Sequence, residues 1–125
     1  MDTYTFDSRP HDQESVNAWA DIALSGVGEG DVTEKFLAKT SGPISVVFKN
    51  TDGANSIDVK VLGSNDPNAA VADRVEVVAS ATIAAGAIQE VEIALAYYQF
   101  YWFQFKATTG GNQGNVRLWG RQARV

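Results

Sequence analysis

Residues 97–106 read YYQFYWFQFK, and seven of these ten residues are aromatic. The stretch has no glycine, no proline and no helical spacing, so it predicts a β-strand in the middle of a sheet. Alternate residues of a strand point to opposite faces. One face would carry Tyr98, Phe100, Trp102, Gln104 and Lys106, and the other Tyr97, Gln99, Tyr101, Phe103 and Phe105. Since both faces are aromatic, we expect a second cover besides the domain's own core: a chain segment, a partner or a ligand.

The composition limits the classes of function. The chain has 125 residues, the size of one domain, and no cysteine, which excludes disulfides and cysteine-based metal sites or nucleophiles. Its net charge of −5 argues against binding to nucleic acid, which depends on clustered lysine and arginine. No signal peptide and no apolar run of about 20 residues is visible, so we expect a soluble protein without a membrane partner.

Charge is unevenly distributed along the chain. Residues 1–34 hold eight acidic residues and one basic residue, Arg9, whereas the segment after Lys106 holds three arginines and no acidic residue. This asymmetry predicts contact between the two ends, either within one molecule or between neighbouring molecules.

The N-terminal segment differs from the rest of the chain. Residues 1–15 are polar and are predicted to form an extended N-terminal arm, which is either disordered or ordered on a neighbour, while residues 16–125 form a single domain. Tyr4 and Phe6 would anchor the arm on a neighbouring subunit. In residues 16–24 every second residue is apolar, up to Ile22 and Leu24, which indicates a strand, although the alanine content also permits a short helix.

Turn residues divide the domain into seven or eight short strands, recurring about every 8–14 residues. No long helix is predicted. The pattern indicates an all-β fold, an antiparallel β-sandwich of jelly-roll type or with another Greek-key connection, and the alternative is a closed barrel. The predicted core comprises Ile44, Val46, Phe48, Ile57, Val59, Val61, Val75, Val77, Ile83, Val91, Ile93, Val116 and Leu118. Because Asp52-Gly53 is typical of a hairpin turn, the strands on either side of it are expected to pair with each other.

No catalytic constellation is visible. His11 is the sole histidine and lies in the polar arm, so a second histidine is not available for a base and nucleophile pair. Glu90 and Glu92 share one strand face, where a solvated surface explains them better than glycosidase chemistry does. Two turns rich in Asp and Asn match no calcium-binding loop. We therefore predict a protein that is not an enzyme, with no catalytic residue, no metal and no cofactor.

Aromatic residues beside arginine are the main candidates for function. Trp119 lies between Arg117 and Arg121, and large aromatic residues with arginine are favoured at protein interfaces. The predicted interface residues are Tyr4, Phe6, Trp19, Tyr98, Trp102, Arg117, Trp119 and Arg121. The second face of residues 97–106 is expected to meet the N-terminal segment around Trp19 or a neighbouring subunit.

Three runs carry a resemblance to a known class of proteins. They are VKVLGSNDPN at 59–68, TIAAGAIQEVEI at 82–93 and AYYQFYWFQFKATTGGNQGNVRLWG at 96–120. With their GSND turn and their tyrosine-rich strand before a glycine-rich loop, they resemble the small β-sandwich virion proteins of tailed bacteriophages, most of all head decoration or cement proteins. The resemblance implies a structural protein that stabilises the capsid by bridging subunits of the major capsid protein, as a dimer or trimer. It also implies a location on the capsid exterior after assembly in the host cytoplasm.

Two alternative functions remain open. The first is a carbohydrate-binding module that uses Trp19, Trp102 or Trp119 as a platform on which sugar rings stack. The second is a virion protein associated with the tail or a fibre, because such proteins share the same architecture.

Overall fold

The computed structural model describes residues 3–7, 13–14, 17–24, 35–110 and 112–123. Within these residues the chain forms β-strands and one short 3-10 helix, and no α-helix occurs among them. The strands are β1 Thr3–Asp7, β2 Gln13–Glu14, β3 Ala20–Asp21, β4 Lys35–Leu37, β5 Ile44–Asn50, β6 Ile57–Ser64, β7 Val75–Ile83, β8 Ile88–Ile93, β9 Phe100–Ala107 and β10 Asn115–Ala123, and the 3-10 helix is Val71–Asp73. The predicted all-β class is confirmed.

Two antiparallel sheets pack face to face. Sheet A has the strand order β1-β10-β5-β8, with β2 pairing with β10, and sheet B has the order β3-β9-β6-β7, with β4 pairing with β9. β1 and β2 both pair with the same edge of β10, and β3 and β4 both pair with the same edge of β9. Each sheet is therefore four strands wide. This order of strands, shared between two sheets, is that of a jelly roll. The predicted antiparallel sandwich of jelly-roll type is therefore confirmed.

The core lies between the two sheets and is built from alternate residues of the facing strands. Phe48 from β5 and Phe103 from β9 meet edge to face across it, with ring centroids 6.3 Å apart. Of the predicted core residues, eleven are buried and Val77 is partly buried against the core, whereas Val75 is 47% exposed. Val75 is the first residue of β7, the edge strand of sheet B, and it lies opposite Gly63, so the core does not cover it.

The aromatic strand and its neighbours complete the core. The inner face of β9 contributes Tyr101, Phe103 and Phe105, all of them buried. On the β3 side, Ile22 and Leu24 are fully buried, although the predicted core did not include them. This face of the aromatic strand is therefore an ordinary sandwich core.

The loop that contains Asp52 does not join paired strands. Its two flanking strands, β5 and β6, belong to different sheets, so the loop crosses between the sheets and the predicted hairpin is wrong. The buried side chain of Asn50 stabilises this loop through hydrogen bonds. Its Nδ2 donates to the carbonyl oxygens of Asn55 at 2.7 Å and Ile83 at 3.2 Å, and its Oδ1 accepts from the N–H of Asp52 at 3.0 Å. Two strands that face each other across the core show the same alternation of apolar residues as two strands paired in a hairpin. Alternation alone therefore could not distinguish the two arrangements.

The same loop has its own local hydrogen bonds. The Asp52 carboxylate accepts from the backbone N–H groups of Ala54 and Asn55, at 2.8 and 2.6 Å. These hydrogen bonds favour the ionised carboxylate and lower the pKa of Asp52. The loop is thus shaped by an Asp side chain, as turns commonly are.

The N-terminal segment pairs with the last strand of its own chain. β1 runs antiparallel to β10 from Thr3, opposite Ala123, to Asp7, opposite Trp119, and β2 pairs further along the same edge. Contact between the two ends of the chain within one molecule was one of the two arrangements that the charge asymmetry predicted. The pairing of part of the predicted arm with β10 was not predicted.

Tyr4 and Phe6 lie in β1. Their backbones pair with those of Gln122 and Gly120 in β10. The predicted role of their side chains as anchors lies outside the described part of the structure.

Three loops meet at one end of the sandwich, which we name the Tyr97 end: residues 38–43, 65–74 and 94–99. Buried Gln122, near the end of β10, fastens the first of them. Its Nε2 donates to the carbonyl oxygens of Thr40 at 2.7 Å and Gly42 at 3.0 Å, and its Oε1 accepts from the N–H of Lys39 at 2.9 Å. Asn50 and Gln122 therefore fasten loops at opposite ends of the sandwich.

Gly63 in β6 provides space for Tyr98. A Cβ atom added at Gly63 would lie 2.8 Å from Cδ2 of Tyr98 and 3.0 Å from Cγ2 of Val77. We expect Gly63→Ala to lower the free energy of unfolding by about 1–3 kcal/mol, because the added methyl group displaces packed neighbours. Chemical denaturation measures this, with Gly53→Ala as the control, since a Cβ at Gly53 meets no atom within 4 Å. Equal losses in the two variants would contradict the prediction.

Candidate functional site

Trp102 lies on the outer face of sheet B and is 3% exposed. The loop 65–74 covers it: Ala69 packs against Trp102 and Leu62, and the Arg74 guanidinium carbon is 4.1 Å from the ring centroid. The second cover on the aromatic strand is thus a segment of the chain itself. At Trp102 this cover is the loop 65–74. Farther along the same face, Gln104 contacts Asp21 and Lys106 contacts Trp19, so this face of the strand does meet the N-terminal segment around Trp19, as predicted. Trp102 leaves almost no surface for a partner, which corrects its prediction as an interface residue.

A buried ion pair fastens this loop to the sheet. Arg74 Nη1 lies 2.9 Å from Asp21 Oδ1, and the two side chains are 8% and 14% exposed. Gln104 Nε2 donates to the same carboxylate oxygen at 2.7 Å, and Arg74 Nε donates to the carbonyl oxygen of Ala69 at 3.3 Å. A paired and hydrogen-bonded charge is the form in which a buried charge is tolerated. The network therefore has a structural role.

Trp19 lies farther along the outer face of sheet B and is half-buried. Lys60 Nζ lies 4.3 Å from its ring centroid and Lys106 Nζ lies 5.3 Å away. Both distances are within the range of a cation–π interaction. Contacts within the chain therefore already engage this ring.

Tyr98 precedes β9 and packs against the main core. Its N–H donates to the Tyr101 hydroxyl at 3.0 Å, and the two rings meet edge to face at 6.3 Å. Burial raises the pKa of Tyr101. The predicted position of Tyr98 on the same face as Trp102 is therefore wrong, because β9 begins at Phe100 and strand alternation does not extend to residues 97–99.

Trp119 lies at the middle of the outer face of sheet A and is 40% exposed. On β10 it lies between the outward positions of Arg117 and Arg121, as predicted, with the Arg117 guanidinium carbon 6.0 Å from its ring centroid. Across the ladder to β5, Trp119 pairs with Val47 and Arg121 pairs with Ser45. The structure thus brings Arg117, Trp119 and Arg121 together on one accessible face.

A depression of about 220 Å³ adjoins Trp119. Its lining residues are Ser45, Val47, Trp119, Gly120 and Arg121. Ser45 and Val47 are smaller than the residues opposite them on β10, and Gly120 has no side chain, so the surface is low beside a large aromatic ring. Sequence reasoning found Trp119 and Arg121 but missed Ser45 and Val47, because only the pairing of β5 with β10 makes them neighbours.

A second accessible surface lies at the Tyr97 end. Tyr97 is 78% exposed, although the alternation of the aromatic strand placed it on the same face as Tyr101. Four further apolar side chains at this end are exposed: Leu37, Val71, Val75 and Leu95. We call these five residues together the Tyr97 patch; Leu37 ends β4 and Val75 begins β7, at opposite edges of sheet B. Sequence reasoning missed the patch because its members come from separate segments.

The loops that carry this patch are tied to one another. The N–H of Gln99 donates to Asn65 Oδ1 at 2.9 Å, which joins loop 94–99 to loop 65–74. The N–H of Ala96 donates to the carbonyl oxygen of Ser41 at 3.2 Å, which joins loop 94–99 to loop 38–43. The Tyr97 patch is therefore supported by hydrogen bonds between the loops.

The described residues contain neither a cluster of potential metal ligands nor a helix that could span a membrane. No group of three or more His, Cys, Asp or Glu side chains there could hold a metal ion. The same part of the chain contains no helix that is long and apolar enough to cross a membrane.

The chain was compared with protein-family models, curated proteins and solved structures, and a match was found among the solved structures. No protein-family model matches the chain. No curated protein matches it in sequence. Among solved structures, the chain is similar to a protein of Bacillus endospore appendages, a family of disulfide-linked pili, with a TM-score of 0.49 and 11% identity; the match covers 99% of this chain and 87% of that one.

Proposed function

We propose that this chain is a non-enzymatic structural protein of a virion, which binds the capsid exterior and stabilises it by bridging subunits of the major capsid protein. The observation that carries the proposal is the Tyr97 patch. Such a patch of exposed apolar side chains at one end of a small domain is typical of a surface that binds another protein. The resemblance of the three runs within residues 59–120 to phage head decoration proteins supports the choice of partner.

The patch has the properties that a docking surface requires. Burying apolar area on a partner is favourable by about 25 cal/mol per Å². Hydrogen bonds already fasten the three loops of the Tyr97 end, through Gln122, Ser41 and Asn65. Binding would therefore order little additional backbone, and a preformed surface loses less entropy on association.

Co-sedimentation with capsids tests the proposal. Capsids of the virus that encodes this chain, assembled without it, are mixed with the purified protein at increasing concentration. We expect saturable binding at a fixed ratio to the major capsid protein. In the double variant Tyr97→Ser and Leu95→Ser, we expect binding at least about tenfold weaker, because central aromatic and aliphatic anchors dominate interfaces.

The control is Ile88→Ser, since Ile88 is an exposed apolar residue on the outer face of sheet A, away from the Tyr97 end. It should bind capsids as the unaltered protein does. Absence of saturable binding by the unaltered protein would overturn the proposed function. Equal weakening by Ile88→Ser would overturn the assignment of the surface.

We also propose that copies of the chain associate as a dimer or trimer. The exposed apolar residues of the Tyr97 patch support self-association. Light scattering on the purified protein should give the mass of two or three chains. The mass of a single chain would contradict this part of the proposal.

A further inference from the structure

A second binding site lies on the outer face of sheet A. We propose that the depression beside Trp119 binds an acidic oligosaccharide, one that carries uronic acid carboxylates. The site is separate from the Tyr97 patch, so the inference does not rest on capsid binding. It combines an exposed aromatic ring, a depression in the surface and a set of cationic side chains.

Trp119 is the tryptophan whose ring is available. Trp102 is covered by the loop 65–74, and two lysine ammonium groups lie against the ring of Trp19. Trp119 is 40% exposed and stands beside the depression. The C–H face of a sugar ring packs on a flat aromatic ring, which offers a large and rigid apolar surface.

The depression has the size of a small ligand subsite. Its volume of about 220 Å³ is below the roughly 300–1,000 Å³ of pockets for drug-sized molecules. Ser45 and Val47 lie directly opposite Arg121 and Trp119 in the ladder, so small side chains leave space beside large ones. One sugar ring on Trp119 would fill it, and the open sheet face would admit further rings.

A row of polar side chains crosses the site. Arg121 pairs with Ser45, and Ser45 pairs on its other side with Glu92 of β8. Neighbouring strands are about 4.8 Å apart, so the row spans about 10 Å. It offers a guanidinium, a hydroxyl and a carboxylate, which together can donate to and accept from the hydroxyl groups of a sugar.

The charges around Trp119 select an anionic sugar. Arg117 and Arg121 occupy the outward positions on either side of it, and Lys49 pairs with Arg117 across the ladder. This is a cationic cluster on a chain whose net charge is −5. A guanidinium binds a carboxylate through two parallel hydrogen bonds. The acidic residues nearest the site are Asp7 of β1, which pairs with Trp119, and Glu90 and Glu92 of β8, so the sugar carboxylate belongs beside Arg121.

Nuclear magnetic resonance of the full chain tests the inference, because its three tryptophans give three indole N–H signals. The probes are oligogalacturonate, alginate and hyaluronan oligosaccharides, with neutral galactan oligosaccharides of equal length as the comparison. We expect at least one acidic probe to shift the Trp119 signal in a saturable manner. The neutral oligosaccharides should bind at least about tenfold more weakly, and added salt should weaken the acidic probe.

Variants locate the site by calorimetry with the same probes. Trp119→Ala should weaken binding by at least about tenfold, and Arg121→Gln should reduce the preference for the acidic probe over the neutral one. Trp19→Ala should bind as the unaltered protein does. The inference is overturned if no acidic probe binds, if neutral probes bind equally well, or if Trp119→Ala retains full affinity while its circular dichroism spectrum stays unchanged.

Discussion

Trp102→Ala is expected to lower the free energy of unfolding by about 3–5 kcal/mol, the usual cost of removing a large buried aromatic side chain. The ring fills the space between the outer face of sheet B and the loop 65–74. Its removal would also expose the Arg74 and Asp21 ion pair, whose desolvation depends on the ring and the loop together. Because a domain of this size is stable by about 5–15 kcal/mol, the midpoint of thermal unfolding should fall by about 10 °C or more.

The other tryptophans supply matched controls for this prediction. Trp119→Ala removes the same side chain from a position that is 40% exposed, and it should cost no more than about 1 kcal/mol. Chemical denaturation of both variants gives the two free energies. If Trp102→Ala were as stable as Trp119→Ala, the loop would not be packed on the sheet as described.

Asn50→Asp is expected to destabilise the protein strongly and in a way that depends on pH. The side chain is fully buried, and its Nδ2 donates to the carbonyl oxygens of Asn55 and Ile83. A carboxylate of the same shape would face two carbonyl oxygens without a hydrogen to donate. We expect a loss of about 3 kcal/mol at neutral pH, because a buried charge would lack its partners.

The sign of the pH dependence follows from the pKa of the new carboxyl group. Burial beside carbonyl oxygens raises that pKa in the folded state above its value of about 4 in the unfolded chain. Below about pH 4 both states hold the proton and the loss is smallest. As the pH rises above about 4, the carboxyl group ionises in the unfolded chain but stays protonated in the folded one. The loss of stability therefore grows until the pH passes the folded-state pKa.

Asn50→Ala is the matched control for the pH dependence. It removes the same hydrogen bonds without adding a titratable group, so its loss of stability, relative to the unaltered protein, should not change with pH. Denaturant titrations at about pH 4 and about pH 7 on both variants separate the two effects. A loss for Asn50→Asp that is equal at both pH values would contradict the prediction.

The fold class could be predicted from the sequence because it depends on local alternation. The inward sets of β5, β6 and β10 alternate with period two, and all of their predicted members are buried. Pairing could not be predicted in this way. The Asp52-Gly53 turn appeared to close a hairpin, but whether two successive strands pair or face each other depends on contacts such as those of Asn50 with Asn55 and Ile83.

The accessible surfaces were predicted in part. Trp119 with Arg117 and Arg121 could be found because they alternate on one strand. The loop 65–74 that covers Trp102 could not be predicted, because its position depends on a contact between Arg74 and Asp21, which are far apart in the sequence. The Tyr97 patch could not be found either, since Leu37, Val75 and Tyr97 belong to separate segments that reach the same end of the sandwich only in the folded chain.

The pairing of Thr3 with Ala123 places both ends of the described chain at the Tyr97 end. A label attached near Thr3 or Ala123 would therefore stand next to the surface proposed to bind the capsid, and it would hinder that binding in an assay. A short peptide joining the termini would free this end of the molecule. New termini could then be opened at Gly53, in an exposed loop at the far end of the sandwich, where a label would stay clear of the Tyr97 patch.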